Sequence, residues 1–387
     1  MLHTLAVKNY RTLRDFVIPL QGLNVITGPN GSGKSNVYKS LRLLAETAQG
    51  GVVSALAREG GLPSTLWAGP ETISRAVRQG QHPVQGTRRS KPVSLGLGFA
   101  GEEFSYSIDL GLPGASAPSA FELDPHIKAE FIWVGPIARP AAMMVQRYGA
   151  LVQCKDAASQ WRMLHDRMPH SDSLMTQVAD PERAPEVLRV REQIRSWRFY
   201  DHFRTDVQAP ARLRQLGTYT PVLGNEGADL AAALQTIREI GDPQALDAAV
   251  DDAFPGARLE IDAVDGWFEV LMHQHGLLRP LRAAELSDGT LRYVLWIAAL
   301  LSPRPPQLLV LNEPETSLHP DLLPALGRLI GQAAQRSQVF VVSHANRLIA
   351  TLEQQGCQSL VLEKDFGETR VSEASGLDPP RWHWMGR

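Results

Sequence analysis

Three short stretches carry residue types whose spacing could handle a nucleoside triphosphate. The first, Gly28-Pro29-Asn30-Gly31-Ser32-Gly33-Lys34-Ser35, matches G-x-x-x-x-G-K-[ST] in full. Glycines let successive backbone N–H groups curl around phosphate oxygens. Lys34 can reach the β- and γ-phosphates, and the Ser35 hydroxyl can ligate Mg²⁺. The expected nucleotide-binding set is Asn30, Gly31, Ser32, Gly33, Lys34, Ser35 and Asn36. The second stretch, Asn312-Glu313-Pro314-Glu315, follows the apolar run 308–311. In phosphate-loop enzymes an aspartate on Mg²⁺ normally stands at the first of these places, and a water-directing residue acts beside it. The third is the pair Ser287 and Gly289, ahead of an apolar stripe of Leu291, Val294, Leu295, Ala298 and Leu301. Ser287 can cap the helix that follows, and a capped start with an open glycine is an anion site.

Asn312 is the departure. Asparagine keeps the shape of aspartate and one acceptor oxygen, but it loses the charge and adds two donors. Mg²⁺ prefers charged oxygens yet keeps several waters. Ser35, Asn312 and the phosphates can therefore still hold it, less tightly. Glu313 is retained, which points to slow hydrolysis with a raised Mg²⁺ demand. An asparagine that merely bridges through water would change neither.

These residues need particular elements around them. Residues 1–27 read as two strands, the second buried and ending at the phosphate loop. A helix follows from Ser35 to about Ala48. Alternation in 93–99 and 104–110 predicts a β-hairpin, and 130–136 another strand. Residues 140–250 read as mainly helical, without sustained heptads. Strand character returns in 257–264 and 267–274. From Glu285 onward helix and strand alternate, an α/β pattern. His344 follows the last buried strand of that series, and Arg11 and Arg14 sit in the opening strands, as exposed cations or near the nucleotide.

The bulk numbers allow this. The chain has 387 residues, 43% hydrophobic and 21% charged, with 39 basic against 41 acidic side chains and a formal net charge of −2. That is ordinary globular composition, so any basic surface is local. Two distant cysteines, Cys154 and Cys357, suggest neither a disulfide framework nor a metal pair, and fit a reducing cytoplasm. Polar residues arrive too early for a secretory signal. The apolar run 294–301 is too short to span a membrane.

The order of the motifs resembles the ABC-type ATPases of the SMC/RecF group, and more closely the stand-alone "DEPExxLHP" ATPases related to RecF and OLD proteins. The residues that carry it are "LAVKNYRTLRD", the phosphate loop, "SWRFYDHF" (196–203), "GNEGADLAAAL" (224–234), "LSDGTLR", "NEPETSLHP" and "SHANRL". The resemblance implies an α/β ATPase head, with a mixed sheet and an antiparallel β-subdomain, interrupted by a helical insertion lobe. The expected parts are 1–139, the lobe 140–250, and 251–387. It implies ATP and Mg²⁺ as ligands, with Ser35 and Asn312 on the metal. Glu313 would position the attacking water, and His344 would sense the γ-phosphate. Ser287 and Gly289 would meet the γ-phosphate held by a second copy, with Ser317 to His319 as the D-loop. ATP would thus join a homodimer and hydrolysis would release it. The family's Q-loop glutamine has two candidates, Gln146 and Gln153.

Relatives of this kind mostly act on DNA or in antiphage defence, often beside a partner nuclease or other effector. No nuclease or TOPRIM-like domain is expected in the chain itself. Two basic stretches could meet DNA. One holds Arg75, Arg78, Arg88, Arg89 and Lys91. The other, 183–214, has eight arginines among Trp197, Phe199, Tyr200 and Phe203, which could bind phosphate and stack bases or form ordinary core. Three functions stay open: an ATPase acting on DNA or a DNA-processing partner, a nucleotide-gated switch with negligible turnover, and the ATPase subunit of a transporter.

Overall fold

The apolar runs of the sequence sort into two kinds of strand, and each kind builds its own unit. The computed structural model describes residues 1–70, 93–114 and 120–385. The first unit comprises 1–20, 28–195 and 361–387; the second comprises 21–27 and 196–360.

The first unit is built on an eight-stranded antiparallel sheet in the order β2-β1-β4-β5-β6-β7-β8-β9. Its strands are β1 (Leu2–Tyr10), β2 (Leu13–Pro19), β4 (Leu95–Gly101), β5 (Phe104–Gly111), β6 (His126–Val134), β7 (Met143–Tyr148), β8 (Leu151–Lys155) and β9 (Trp161–His165). Helix α1 (Lys34–Thr47) leaves the phosphate loop, and α2 (Val52–Arg58), α3 (Leu62–Thr65), α4 (Leu174–Gln177) and α5 (Pro185–Arg195) complete the unit's helices among the described residues. Every residue of β4 is buried. Part of its cover is the C-terminal segment: a Cβ at Gly96 or Gly98 would stand 2.8 Å from the Trp384 ring or 2.7 Å from that of Trp382. Trp382 also packs on Trp133 at 5.6 Å between ring centroids.

The second unit holds four parallel strands in the order β10-β15-β16-β3: β10 (Arg198–Tyr200), β15 (Leu308–Asn312), β16 (Gln338–Val342) and β3 (Leu23–Thr27). They read as near-continuous apolar runs because helices cover parallel sheets on both faces. Those helices are α6 (Leu230–Ile240), α7 (Pro243–Ala253), α8 (Asp288–Leu300), α9 (Leu323–Ala333) and α10 (Asn346–Gln354). A small antiparallel sheet of β11 (Gln215–Leu216), β13 (Trp267–His273), β12 (Arg258–Val264) and β14 (Leu281–Arg282) packs into the same core. In α8 all ten residues from Leu291 to Leu300 are buried, so the expected stripe is a helix covered on every side. The chain then forms the antiparallel hairpin β17 (Gln358–Asp365) and β18 (Glu368–Val371).

Three expectations change. The opening 27 residues form three strands, because "LRDFVIP" pairs back on β1. The stretch 140–250 is no helical lobe. Residues 143–165 are strands β7 to β9 of the large sheet, while Leu230, Leu234, Ile237, Leu246 and Val250 of α6 and α7 pack in one core with Leu291 and Val294 of α8. The two units divide the chain after residues 20, 27, 195 and 360, where parts 1–139, 140–250 and 251–387 were expected. The reason is local: Arg147 points into the first unit's interior and breaks the apolar alternation that would announce β7.

Candidate functional site

Strand β3 ends at Thr27, and the next residue opens the phosphate loop. Three glycines give the loop its curl: Gly28, Gly31 and Gly33 have φ of 139°, 79° and 107°. These left-handed values cost a side chain about 1–2 kcal/mol each. At Gly33 space is short as well, since a Cβ would lie 2.0 Å from Thr369 Oγ1. Lys34 is 7% exposed, and its ammonium donates to the carbonyls of Gly28 (2.7 Å) and Pro29 (3.1 Å). The cation thus lies across the mouth of its own loop. Ser32 Oγ is buried and has no hydrogen-bond partner among the described residues. A helix N-terminus with free N–H groups and a lysine folded back on its loop is the kind of place where an anion can bind. Ser35, Asn30 and Gly31 are exposed, and Asn36 is half-buried.

Two further side chains hold the loop from outside the motif. Thr369 of β18 donates to Ser32 O at 2.8 Å. Thr12, in the β1–β2 turn, sits 2.7 Å from Thr369 Oγ1 and accepts from Asn36 Nδ2 at 2.7 Å. Arg11, in contrast, is engaged with Glu59 at 2.8 Å. Gln146 and Gln153 face each other across β7 and β8, and Gln146 Nε2 donates to Gln153 Oε1 at 2.9 Å.

The second unit gathers the acidic residues. Its parallel register aligns Asn312 with Val342 and Val342 with Ile26, so β15, β16 and β3 end at one edge. In open α/β sheets ligands bind outside that carboxyl edge. Asn312 is half-buried there. Glu313 follows at φ 49° with its N–H on Val342 O at 2.8 Å. A non-glycine residue in that region stores strain and marks a constrained site. Glu313 is 43% exposed as a side chain, and its Oε1 is 3.8 Å from His344 Nδ1. Glu315 is 7% exposed. Its Oε1 accepts from Ser343 Oγ (2.7 Å), His344 N (2.8 Å) and Ala345 N (3.2 Å), and lies 3.4 Å from His344 Nδ1. Its Oε2 is buried without a partner among the described residues. The second glutamate of "NEPE" therefore fixes the backbone that carries His344.

Behind this edge stand residues that local patterns do not reveal. Trp296 of α8 donates its indole N–H to Pro314 O at 3.1 Å and packs on Phe203 at 4.9 Å between ring centroids. Arg292, 4% exposed, donates to Thr316 O (2.7 Å) and Phe203 O (3.0 Å). Burial holds its guanidinium below its ordinary pKa. Ser287 caps α8 by accepting from Thr290 N at 3.1 Å and remains exposed. A Cβ at Gly289 would meet Ser317 O at 3.2 Å, so the helix start abuts the segment that follows Glu315. Ser317 itself has φ 62°, and His319 is exposed. Arg212 clamps the approach to α8 through the carbonyls of Ala283 (3.1 Å) and Leu286 (2.7 Å) and the Asp288 carboxylate (2.6 Å).

The basic stretches fare unequally. Arg75, Arg78, Arg88, Arg89 and Lys91 lie outside the described residues. In 183–214 the rings of Trp197, Phe199, Tyr200 and Phe203 are all buried, so they are core and cannot stack bases. Arg212 is likewise interior. Among the described residues no three His, Cys, Asp or Glu side chains are grouped to hold a metal unaided. No helix of the described residues is long and apolar enough to cross a membrane.

Residues 23–350 match the AAA_21 family, described as "AAA domain, putative AbiEii toxin, Type IV TA system". No curated protein sequence matches the chain. Among solved structures it is similar to an SMC head bound to the C-winged helix domain of ScpA, at 13% identity and a TM-score of 0.52, over 96% of this chain and 97% of that one. An SMC head domain from Thermotoga maritima matches at 13% identity and 0.44, over 96% and 98%. One from Pyrococcus furiosus, with an extended coiled coil and bound to the C-terminal domain of ScpA, matches at 12% and 0.49, over 96% and 95%. The first likeness bears out the expected α/β ATPase-head fold. The chain therefore belongs to the AAA-domain family that its residues 23–350 match, and it has the fold of an SMC-type ATPase head.

Proposed function

We propose that the chain binds and hydrolyses ATP in the cytoplasm, joins a second copy when ATP is bound, and acts on DNA or on a DNA-processing or defence partner. The observation that carries the ATP reading is the loop 28–35, with three left-handed glycines, a buried unsatisfied hydroxyl and Lys34 folded over it. Lys34 and the loop N–H groups would hold the phosphates. Ser35 and Asn312 would hold Mg²⁺, which when bound neutralises charge on the phosphate oxygens. Glu313 would orient the attacking water. His344 would answer to the γ-phosphate, with its backbone held by Glu315. The start of α8, at exposed Ser287 and half-buried Gly289, would meet the nucleotide of the partner copy. A protein partner is in keeping with the ScpA domain bound to the similar SMC head. A second reading, a nucleotide-gated switch with negligible turnover, is favoured by Asn312 at the end of β15.

Steady-state hydrolysis across a Mg²⁺ series tests both. Glu313→Gln should lower turnover at least about 100-fold while ATP still binds, since directing a proton or water contributes that much. Asn312→Asp should lower the Mg²⁺ demand. Wild type that binds ATP without turning it over would establish the switch. Light scattering of Glu313→Gln with and without ATP reads the dimer, and a salt-dependent gel shift reads DNA binding.

A further inference from the structure

Thr369 belongs to none of the nucleotide motifs and stands 337 residues along the chain from Ser32. Its side chain, in β18, is nevertheless packed tightly against the loop. Thr369 is 3% exposed, and its Oγ1 donates to Ser32 O at 2.8 Å. With its one proton engaged there, that oxygen can only accept from Thr12 Oγ1, 2.7 Å away. Thr12 in turn accepts from Asn36 Nδ2 at 2.7 Å. The hydrogen bonds therefore run one way, from Asn36 through Thr12 and Thr369 to the Ser32 carbonyl. A backbone bond from Thr369 N to Thr12 O at 2.8 Å fixes the two threonines together.

The consequence follows from the peptide plane. The Ser32–Gly33 bond is trans, so the Gly33 N–H points opposite to the Ser32 carbonyl. Holding that carbonyl toward Thr369 turns the Gly33 N–H away from it, to the side a phosphate would occupy. The same oxygen fills the space where Gly33 lacks a side chain. We infer that Thr369 is a positioning residue for the phosphate loop: through Ser32 it orients the Gly33 N–H, and through Thr12 and Asn36 it ties the loop to the first turn of α1. This rests on the reading of 28–35 as a phosphate cradle.

Thr369→Val in the full chain keeps the shape and removes both hydrogen bonds of the hydroxyl; Thr369→Ser restores them. Two readouts are needed: amide hydrogen exchange of the segment 28–36 without nucleotide, and calorimetric titration with ADP. Thr369→Val should speed exchange in 28–36 about tenfold and weaken ADP binding about tenfold, the scale of one or two lost hydrogen bonds. Exchange in β6 should stay unchanged, and Thr369→Ser should return both readouts to within about twofold of wild type. Thr12→Val added to Thr369→Val should change little more, because both cut the same chain. Unchanged exchange and affinity in Thr369→Val would overturn the inference. So would exchange raised evenly across the unit, the mark of a merely structural threonine. Wild type that binds no ADP would sink the cradle reading instead, and the exchange comparison would still decide the role of Thr369.

Discussion

Glu130 of the first unit and Glu315 of the second are both buried, and they are treated differently. Glu130 of β6 is fully buried, and both of its oxygens are used: Tyr106 Oη at 2.7 Å, Leu174 N at 2.9 Å, Ser173 Oγ, and Arg147 at 2.8 Å. Arg147, also fully buried, donates three further hydrogens to the carbonyls of Gly149, Pro169 and Asp172. Burial and the neighbouring Glu130 keep the Tyr106 phenol well above its ordinary pKa, so it stays a donor. Glu315 in the second unit has three donors on one oxygen and none on the other, and its nearest cationic candidate is the exposed ring of His344 at 3.4 Å. A buried carboxylate is held by a partner of opposite charge or by hydrogen bonds. Glu130 has its full set within the fold and serves to pin the loop 169–174 to the sheet. Glu315 keeps one buried oxygen without a donor among the described residues, at the edge where Glu313 and His344 meet.

The same substitution at both positions breaks the pair apart. Glu130→Gln leaves Arg147 buried without its counter-charge, and removing one partner of such a pair costs about 3–5 kcal/mol. We expect that loss in urea unfolding at neutral pH, with the effect on ATP turnover no larger than the loss of folded protein. Glu315→Gln should do the reverse. Its carbonyl can still accept from Ser343, His344 and Ala345, and no cation is stranded, so folded stability should change by less than about 1 kcal/mol. Turnover should fall about tenfold, because a neutral acceptor grips the backbone of His344 less firmly than a carboxylate does. Equal losses of stability at the two sites would show that Glu315 is no more than a second structural clamp.

How much of this could be read from the chain depends on how far apart the partners lie. The phosphate loop, the cap at Ser287 and the buried strand before Asn312 are local patterns, and each is visible within a dozen residues. Glu130 and Arg147 are not. Each charge reads as an exposed position in its own strand, and only their mutual bond makes burial acceptable. That is why β7 and β8 were expected within a helical stretch. Strand β9 gives no alternation at all, since four of its five residues are exposed. The aromatics of 196–203 illustrate the converse. Beside arginines they suggest a stacking surface, but Tyr200 and Phe203 close on Trp296, far along the chain, to support Pro314. Thr369, Arg212 and Arg292 act through backbone carbonyls of distant segments, for which sequence carries no signature.

A third carboxylate separates burial from the count of hydrogen bonds. Glu285, just ahead of α8, takes both guanidinium nitrogens of Arg279, at 2.7 and 2.8 Å, and the N–H of Arg282 at 3.0 Å. It is thus nearly as well bonded as Glu130, yet it is exposed. Arg279 first, then the Arg282 N–H, hold its carboxyl down at about 2. A depressed folded value means that the pairing stabilises the fold above the ordinary carboxylate value of 4.5, and that this support fades as pH falls from there toward about 2. Water and salt screen an exposed pair, so its contribution is the smallest of the three. Arg279→Ala should move the Glu285 titration, followed by NMR of its side-chain carboxyl, up toward the ordinary range while the Arg282 N–H keeps it somewhat low. At neutral pH the urea midpoint should not move measurably. A midpoint loss to match that of Glu130→Gln would mean that the number of hydrogen bonds, rather than the exclusion of water, sets what a carboxylate contributes here, and the contrast between Glu130 and Glu315 would need a different explanation.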